Sequence, residues 1–210
     1  LNIEELFKIA NTIEQSWKLD QLCRKCAIKA SQQMPSGKKL FINVDANILL
    51  DSDFVQGFTK EYLKKYNMDN RIITVPTTSA TVKEAAEALG TEEARIAKTL
   101  SFKLKDKYIV VVTKGDVKID NAKYRHTFGE KAHMVTATEV EEKIGHPVGG
   151  VCPFALNDGV EVYLDESLKN FETVFPACGA TNNAIEISIE ELEKVTNRAA
   201  WVDVTKEKED

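Results

Sequence analysis

The segment Arg95-Ile96-Ala97-Lys98-Thr99-Leu100-Ser101-Phe102 places a lysine inside an apolar strand pattern. Side chains alternate faces along a strand, so Lys98 shares a face with Ile96, Leu100, Phe102 and Leu104, while Ala97, Thr99, Ser101 and Lys103 take the other, more polar one. A buried ammonium is costly unless it is paired or hydrated, so Lys98 is expected to face a wet cavity with something anionic or polar to hold. On pattern alone the competing reading is a lysine near a strand's start that snorkels to solvent.

Two glycine-bearing loops are the other candidates, Gly149-Gly150-Val151-Cys152-Pro153 and Gly179-Ala180-Thr181-Asn182-Asn183. Glycines let a backbone approach a ligand and present N–H groups to a developing oxyanion, whereas Gly149-Gly150 alone also reads as a plain turn. Cys152 is read as a small packing residue rather than a nucleophile, because no basic partner is inferred for it. His126, His133 and His146 lack ligand spacing and are assigned surface or packing roles. Cys23 and Cys26 form a C-x-x-C within a helical pattern and read as a packed helix face rather than a metal or redox site. Asp116, Lys118, Asp120, Lys123 and Arg125 read as a solvated charged stretch.

The elements that position these residues follow from punctuation and period. Residues 1–66 read as helix, helix, strand, helix: a first helix through Ile13, a second from Leu19 to Gln32, a strand Lys39–Val44 and a helix Asp51–Tyr66. From about Asn67 come a strand Arg71–Val75 and a helix opened by the capping box Thr81-Val82-Lys83-Glu84 and closed by Gly90. The Lys98 strand then pairs through Asp106-Lys107 with Tyr108–Thr113, which is apolar on both faces and so central. A helix Asp120–Phe128, a second capping box at Thr138-Glu139-Val140-Glu141 and the strand Val160–Leu164 follow. Val174–Gly179, Ala184–Ile187, a third capping box at Ser188-Ile189-Glu190-Glu191 and a strand Ala200–Val204 complete the series. The tail from Lys206 is expected to fray. The fold class is α/β (α+β): a mixed, partly closed β-sheet or barrel with surrounding helices, preceded by the helix-helix-strand-helix segment.

Composition bounds the partners. The chain has 210 residues, 43% of them hydrophobic, with 28 basic and 33 acidic side chains and a net charge of −5. That balance argues against a broad electropositive nucleic-acid surface but leaves room for a local basic pocket. No apolar run approaches a membrane span and the first residues carry no signal-peptide pattern, so a cytoplasmic location and no membrane partner are expected. The chain opens on Leu1 in mid-pattern, which reads as a cut or a non-standard initiation.

Residues 1–66 resemble a piece of an EAL-type cyclic-dinucleotide phosphodiesterase barrel through Glu4–Ala10, Leu19–Cys23, Lys39–Val44 and Asp53–Leu63. The resemblance gives Asn43 a role in holding a catalytic metal. The strand bearing the Glu-Ala-Leu motif is missing, and a parallel barrel needs all eight strands to close. This segment is therefore expected to be an inactive piece: a truncated fusion, an assembly artefact or a docked scaffold.

Residues 67–205 resemble the YbaK and prolyl-tRNA-synthetase editing-domain superfamily of aminoacyl-tRNA deacylases. The resemblance rests on Lys98 followed by Thr99-Leu100, the G-x-x-x-P loop from Gly149 to Pro153, and the Gly179 loop before Ile185-Glu186-Ile187 and a terminal helix. It implies that Lys98 is the essential residue holding the substrate's 3′-terminal aminoacyl-adenosine, and that Gly149 to Pro153 line the aminoacyl pocket. Thr99, Gly150, Val151, Gly179, Thr181, Asn182 and Asn183 are the further substrate-binding candidates. It also implies that water, aided by the substrate's own ribose hydroxyl, is the attacker, with no cofactor and no metal. Thr181-Asn182-Asn183 departs from the YbaK pattern, and Ala177 and Ala184 stand where that group carries polar pocket residues, which leaves the amino acid removed open. The implied partner is mischarged tRNA, of a tRNA(Pro) type, together with an aminoacyl-tRNA synthetase and no DNA. The alternative expectation is a non-catalytic module that binds a tRNA acceptor end or a synthetase.

Overall fold

In the computed structural model, residues 2–12, 16–31, 42, 57–76 and 79–208 are described. The chain divides into two compact units, Leu1–Val55 and Gln56–Asp210. In the first, helices α1 (Ile3–Thr12) and α2 (Ser16–Ser31) are described. Asp20 and Arg24 form an ion pair of 2.7 Å one turn apart on α2. The C-x-x-C stripe expected to pack is instead partly open, with Cys26 and Leu22 exposed. The expected strand Lys39–Val44, Asn43 within it and the start of the helix at Asp51 lie outside the described residues.

The second unit begins eleven residues before the expected boundary at Asn67, because the helix α3 (Gly57–Lys64) packs into it. Leu63 is fully buried, and the Tyr62 hydroxyl donates to the Val195 carbonyl. A 3₁₀ turn Asp69–Arg71 shortens the next expected strand to β1 (Ile72–Thr74). The Thr81–Glu84 capping box forms as the sequence predicts and opens α4 (Val82–Leu89), which Gly90 closes in the left-handed conformation.

A six-stranded mixed sheet curls through the unit in the order β8-β6-β2-β3-β5-β9, formed by β2 (Ile96–Lys103), β3 (Tyr108–Thr113), β5 (Glu161–Asp165), β6 (Thr173–Pro176), β8 (Ile187–Ser188) and β9 (Ala200–Val202). β2 and β3 form an antiparallel hairpin, while β5 joins β3, β9 joins β5 and β6 joins β2 in parallel. β3 is central, as its two-sided apolarity requires: Ile109, Val110, Val111 and Val112 have no exposed surface. Both faces of the sheet carry a core. Val110, Val112, Val162 and Leu164 meet Ile144, Leu192 and Val195 on one side, and Ile109, Val111 and Phe102 meet Tyr124 and Val204 on the other. The Ala97, Thr99 and Ser101 face is therefore not the solvent side: Ala97 and Ser101 are both buried.

Two short ladders flank this sheet. β1 pairs with β7 (Asn183–Ile185), and β4 (Val117–Ile119) pairs with β10 (Thr205–Glu207). The second ladder pairs the backbone of Thr205–Glu207, where the tail was expected to fray, with that of Val117–Ile119, while the charged side chains Lys123 and Arg125 stay exposed as expected. Asp165 fixes its end: this fully buried carboxylate accepts from the backbone N–H groups of Ser167 and Val204 and from the Thr205 hydroxyl.

The remaining helices are α5 (Asn121–Phe128), capped by Asp120, then α6 (Val140–Ile144) and α7 (Ile189–Thr196). Ser188 and Glu191 form the predicted box at α7. Thr138 does not cap α6. The helix starts only at Val140, with no side-chain cap, and the Glu139 carboxylate accepts from the Thr136 hydroxyl at 2.8 Å.

Candidate functional site

Lys98 lies opposite Thr113 in the β2–β3 ladder. Its ammonium donates to the carbonyl of Gly115 (3.2 Å), in the turn that leads into β4, and to that of Val117, the first residue of β4. That turn is fixed by close approach: a Cβ on Gly115 would sit 2.0 Å from the Glu93 carbonyl oxygen. Burial, with the Lys208 ammonium adding to it, lowers the Lys98 pKa to about 8, against the opposing pull of Asp116 and Asp165. The lysine is thus half-buried, and its charge is held by backbone dipoles.

Beside it opens a cavity of about 530 Å³. Its walls come from the start of α4, strand β2, the segment Met134–Val140, the loop at Val148–Val151 and strands β6 and β7. Of the residues singled out in the sequence, Lys98, Thr99, Gly149, Val151 and Asn183 line it. Ala177 and Ala184 line it too, facing one another across an isolated bridge, so the positions that carry polar groups in the YbaK pattern present methyl groups here.

The two glycine-led loops meet behind this wall. A Cβ on Gly150 would lie 3.0 Å from the Gly179 carbonyl oxygen and 3.2 Å from the Ala180 Cα, so backbone packs on backbone. Gly149 and Gly179 both adopt left-handed φ values, +81° and +84°, which glycine alone takes without strain. The Thr181 carbonyl accepts from the Ser79 N–H (2.6 Å) and hydroxyl (2.9 Å), and its methyl abuts Gly149. Asn182 is occupied with Val75, whose N–H donates to its carbonyl at 2.8 Å. Pro153 lies apart, on a separate concavity of about 330 Å³ with Tyr62 and Asn157. The structure therefore brings Lys98, Gly149 and Asn183 to one cavity and leaves Pro153 and Asn182 out of it.

Two polar atoms at the cavity residues are buried without a hydrogen-bond partner, the Thr99 hydroxyl and the Asn183 Nδ2. The walls are otherwise mostly apolar, and Met134 and Val148 stand exposed at the rim. Neither rim residue nor Ser79 was singled out by sequence reasoning. Met134 and Val148 carry no local signal, because a rim is set by the tertiary meeting of segments distant in sequence.

Cys152 and His146 lie together below the loop, Sγ to Nε2 at 3.4 Å. They do not form a nucleophile and base. His146 Nε2 is 2.7 Å from the Phe154 carbonyl, which only accepts, so this nitrogen carries the proton and cannot take one from sulfur. Burial pushes the Cys152 thiol up to about 12 and lowers the His146 pKa, keeping both neutral. Both residues are packing groups, as their sequence context predicts.

With this geometry in place, comparison with known proteins identifies relatives. The aminoacyl-tRNA editing domain family matches residues 77–195. An uncharacterized Bacillus subtilis protein, YwhH, is 49% identical over 149 residues, covering 70% of this chain and 95% of that protein. The proline–tRNA ligase of Thermotoga maritima is 30% identical over 125 residues, which cover 57% of this chain and 21% of the ligase. A crystal structure described as a candidate trans-editing enzyme for prolyl tRNA synthetase superposes with a TM-score of 0.66 at 26% identity, covering 72% of this chain and 97% of its own. The family match begins at residue 77, and none of these comparisons supports the EAL-type fragment expected for residues 1–66.

Proposed function

The chain belongs to the aminoacyl-tRNA editing domain family, and from that premise we propose that it hydrolyses the ester joining a wrong amino acid to tRNA, with a tRNA(Pro)-type substrate. The observation that carries this reading is the cavity itself: Lys98, whose ammonium is half-buried, Gly149, and Thr99 and Asn183, each with a buried polar atom that lacks a partner, all line one mostly apolar chamber. The relatives support the tRNA type, since one is a proline–tRNA ligase and the trans-editing structure is described as serving prolyl tRNA synthetase.

The chemistry asked of the protein is modest. Water attacks the ester carbonyl, the bond to the ribose 3′-oxygen breaks, and the leaving oxygen takes a proton, releasing a free amino acid and an intact tRNA end. The substrate's 2′-hydroxyl guides the water. Lys98 leaves its carbonyl partners to hold the terminal aminoacyl-adenosine, and the Gly149–Val151 backbone shapes the amino-acid pocket. Positioning and electrostatics supply the catalysis, consistent with a Cys152 thiol that stays protonated.

A panel of mischarged tRNAs, including Cys-, Ala- and Ser-tRNA(Pro), tests the reading. Wild type is expected to release amino acid from at least one of them, and Lys98→Ala to slow release about 100-fold or more, the scale of losing a charge-assisted contact in the transition state. Saturable tRNA binding without release would replace the enzyme with an acceptor-end binding module. Equal release by wild type, variant and buffer would end the proposal.

A further inference from the structure

Asn183 is 2% exposed and sits on β7 at the cavity wall. Its side chain is oriented by one hydrogen bond: Oδ1 accepts from the Ala180 N–H at 3.2 Å. Exchanging oxygen and nitrogen would set an NH₂ group against that N–H, so the bond fixes which atom is which. The backbone is held as well, with the Asn183 carbonyl accepting from the Cys178 N–H (3.3 Å) and the residue in register with Thr74 across the β1–β7 ladder. What remains is Nδ2, a buried donor with no partner.

An unmade hydrogen bond at a buried donor is a standing cost, and a chain keeps it where a ligand supplies the missing acceptor. Thr99 on β2 also lines this chamber, and its hydroxyl is likewise buried without a partner. With its backbone and its amide oxygen both held, this donor keeps its orientation once an acceptor reaches it. An α-amino ester entering from the Lys98 side presents one strong acceptor, its carbonyl oxygen.

We propose that the Asn183 side-chain amide donates to the carbonyl oxygen of the scissile aminoacyl ester and stabilises the oxyanion formed when water attacks. Asn183 transfers no proton. It strengthens one hydrogen bond as the carbonyl carbon becomes tetrahedral, and releases it when the C–O3′ bond breaks and the 3′-oxygen leaves with a proton. This inference rests on the deacylase reading.

The test uses the full chain and a mischarged tRNA that wild type deacylates, with Asn183→Asp and Asn183→Ser compared in steady state. Asn183→Asp keeps the oxygen that receives the Ala180 N–H and removes the donor, while Asn183→Ser removes the amide without adding charge. Each is expected to lower kcat about 10²- to 10³-fold, the loss typical of one oxyanion donor, with KM within about twofold. In ¹⁵N-labelled wild type, the Asn183 side-chain amide resonance is expected to move when a non-hydrolysable 3′-aminoacylamino-adenosine is added. That measurement decides the matter if neither variant folds. Variants as fast as a wild type that does turn over, a raised KM with unchanged kcat, or an unmoved resonance overturns the role of Asn183 alone. A wild type inert on every tRNA of the panel overturns the deacylase reading and this inference with it.

Discussion

A lysine held at a pKa of about 8 makes a definite statement about pH. In the unfolded chain Lys98 returns to its ordinary value near 10.5, so between pH 8 and 10.5 the unfolded state binds more protons and stability rises with pH. Below pH 8 the penalty for charging the buried amine is constant. The difference in unfolding free energy between wild type and Lys98→Met is therefore expected to narrow as pH climbs through that window, read by urea titration at several pH values. Substrate affinity runs the other way: the ammonium that would hold the substrate is lost above pH 8, so Kd for a non-hydrolysable aminoacyl-adenosine should weaken there, and a flat profile would remove Lys98 from binding. Gly179→Ala meets two obstacles, a left-handed φ and the Thr59 hydroxyl 2.5 Å from the new Cβ. A loss of about 2–3 kcal/mol is expected from denaturant midpoints. Lys98 was legible in the sequence because a charge on an apolar strand violates a strong pattern. Asn183 was visible only as one polar residue among three, since nothing local distinguishes the amide that lacks a partner from its neighbour Asn182, which is occupied with Val75.

At the level of elements, what could be read was what is settled locally. The Thr81 and Ser188 capping boxes formed because each closes within four residues. The box at Thr138 did not: the helix starts only at Val140, and the preceding Glu139 makes no capping bond with its side chain but accepts from the Thr136 hydroxyl instead. The β4–β10 ladder escaped the sequence for a related reason: Val117–Ile119 and Thr205–Glu207 are too short and too polar to announce themselves, and each is a strand only through the other. Asp165 ties that ladder to the central sheet with three accepted hydrogen bonds. Replacing it by alanine strands the buried Val204 N–H, the part-buried Ser167 N–H and the Thr205 hydroxyl, and about 3 kcal/mol of stability should be lost in thermal or urea unfolding. Because β4 begins at one of the carbonyls holding Lys98, a chain ending at Val204 is expected also to lose deacylation more steeply than its melting temperature alone explains.

Over the whole chain, composition and strand order were enough to predict a mixed, partly closed sheet with helices around it, and the resemblance carried by Lys98, Gly149 and Gly179 pointed to the family that residues 77–195 match. The edge of the unit was misplaced because α3 has an amphipathic pattern that suits either neighbour, and only packing shows Leu63 with no exposed surface and Thr59 beneath Gly179. A chain starting at Gln56 should therefore melt with the full protein, while one starting at Asn67 should melt several degrees lower, the burial of Leu63 alone being worth about 2 kcal/mol. The meeting of Gly150 with the Gly179 carbonyl has a consequence for descent as well as for stability. Behind one wall of the chamber, main chain is pressed on main chain, with no side chain there to exchange. A lineage that shifts to a different amino acid must do so by substitutions on the facing walls, at Ala177, Ala184, Met134 or Val148, while the glycine seam stays closed to mutation. Divergence among such proteins is thereby channelled: the guest changes through the movable walls, and the seam keeps the site recognisable.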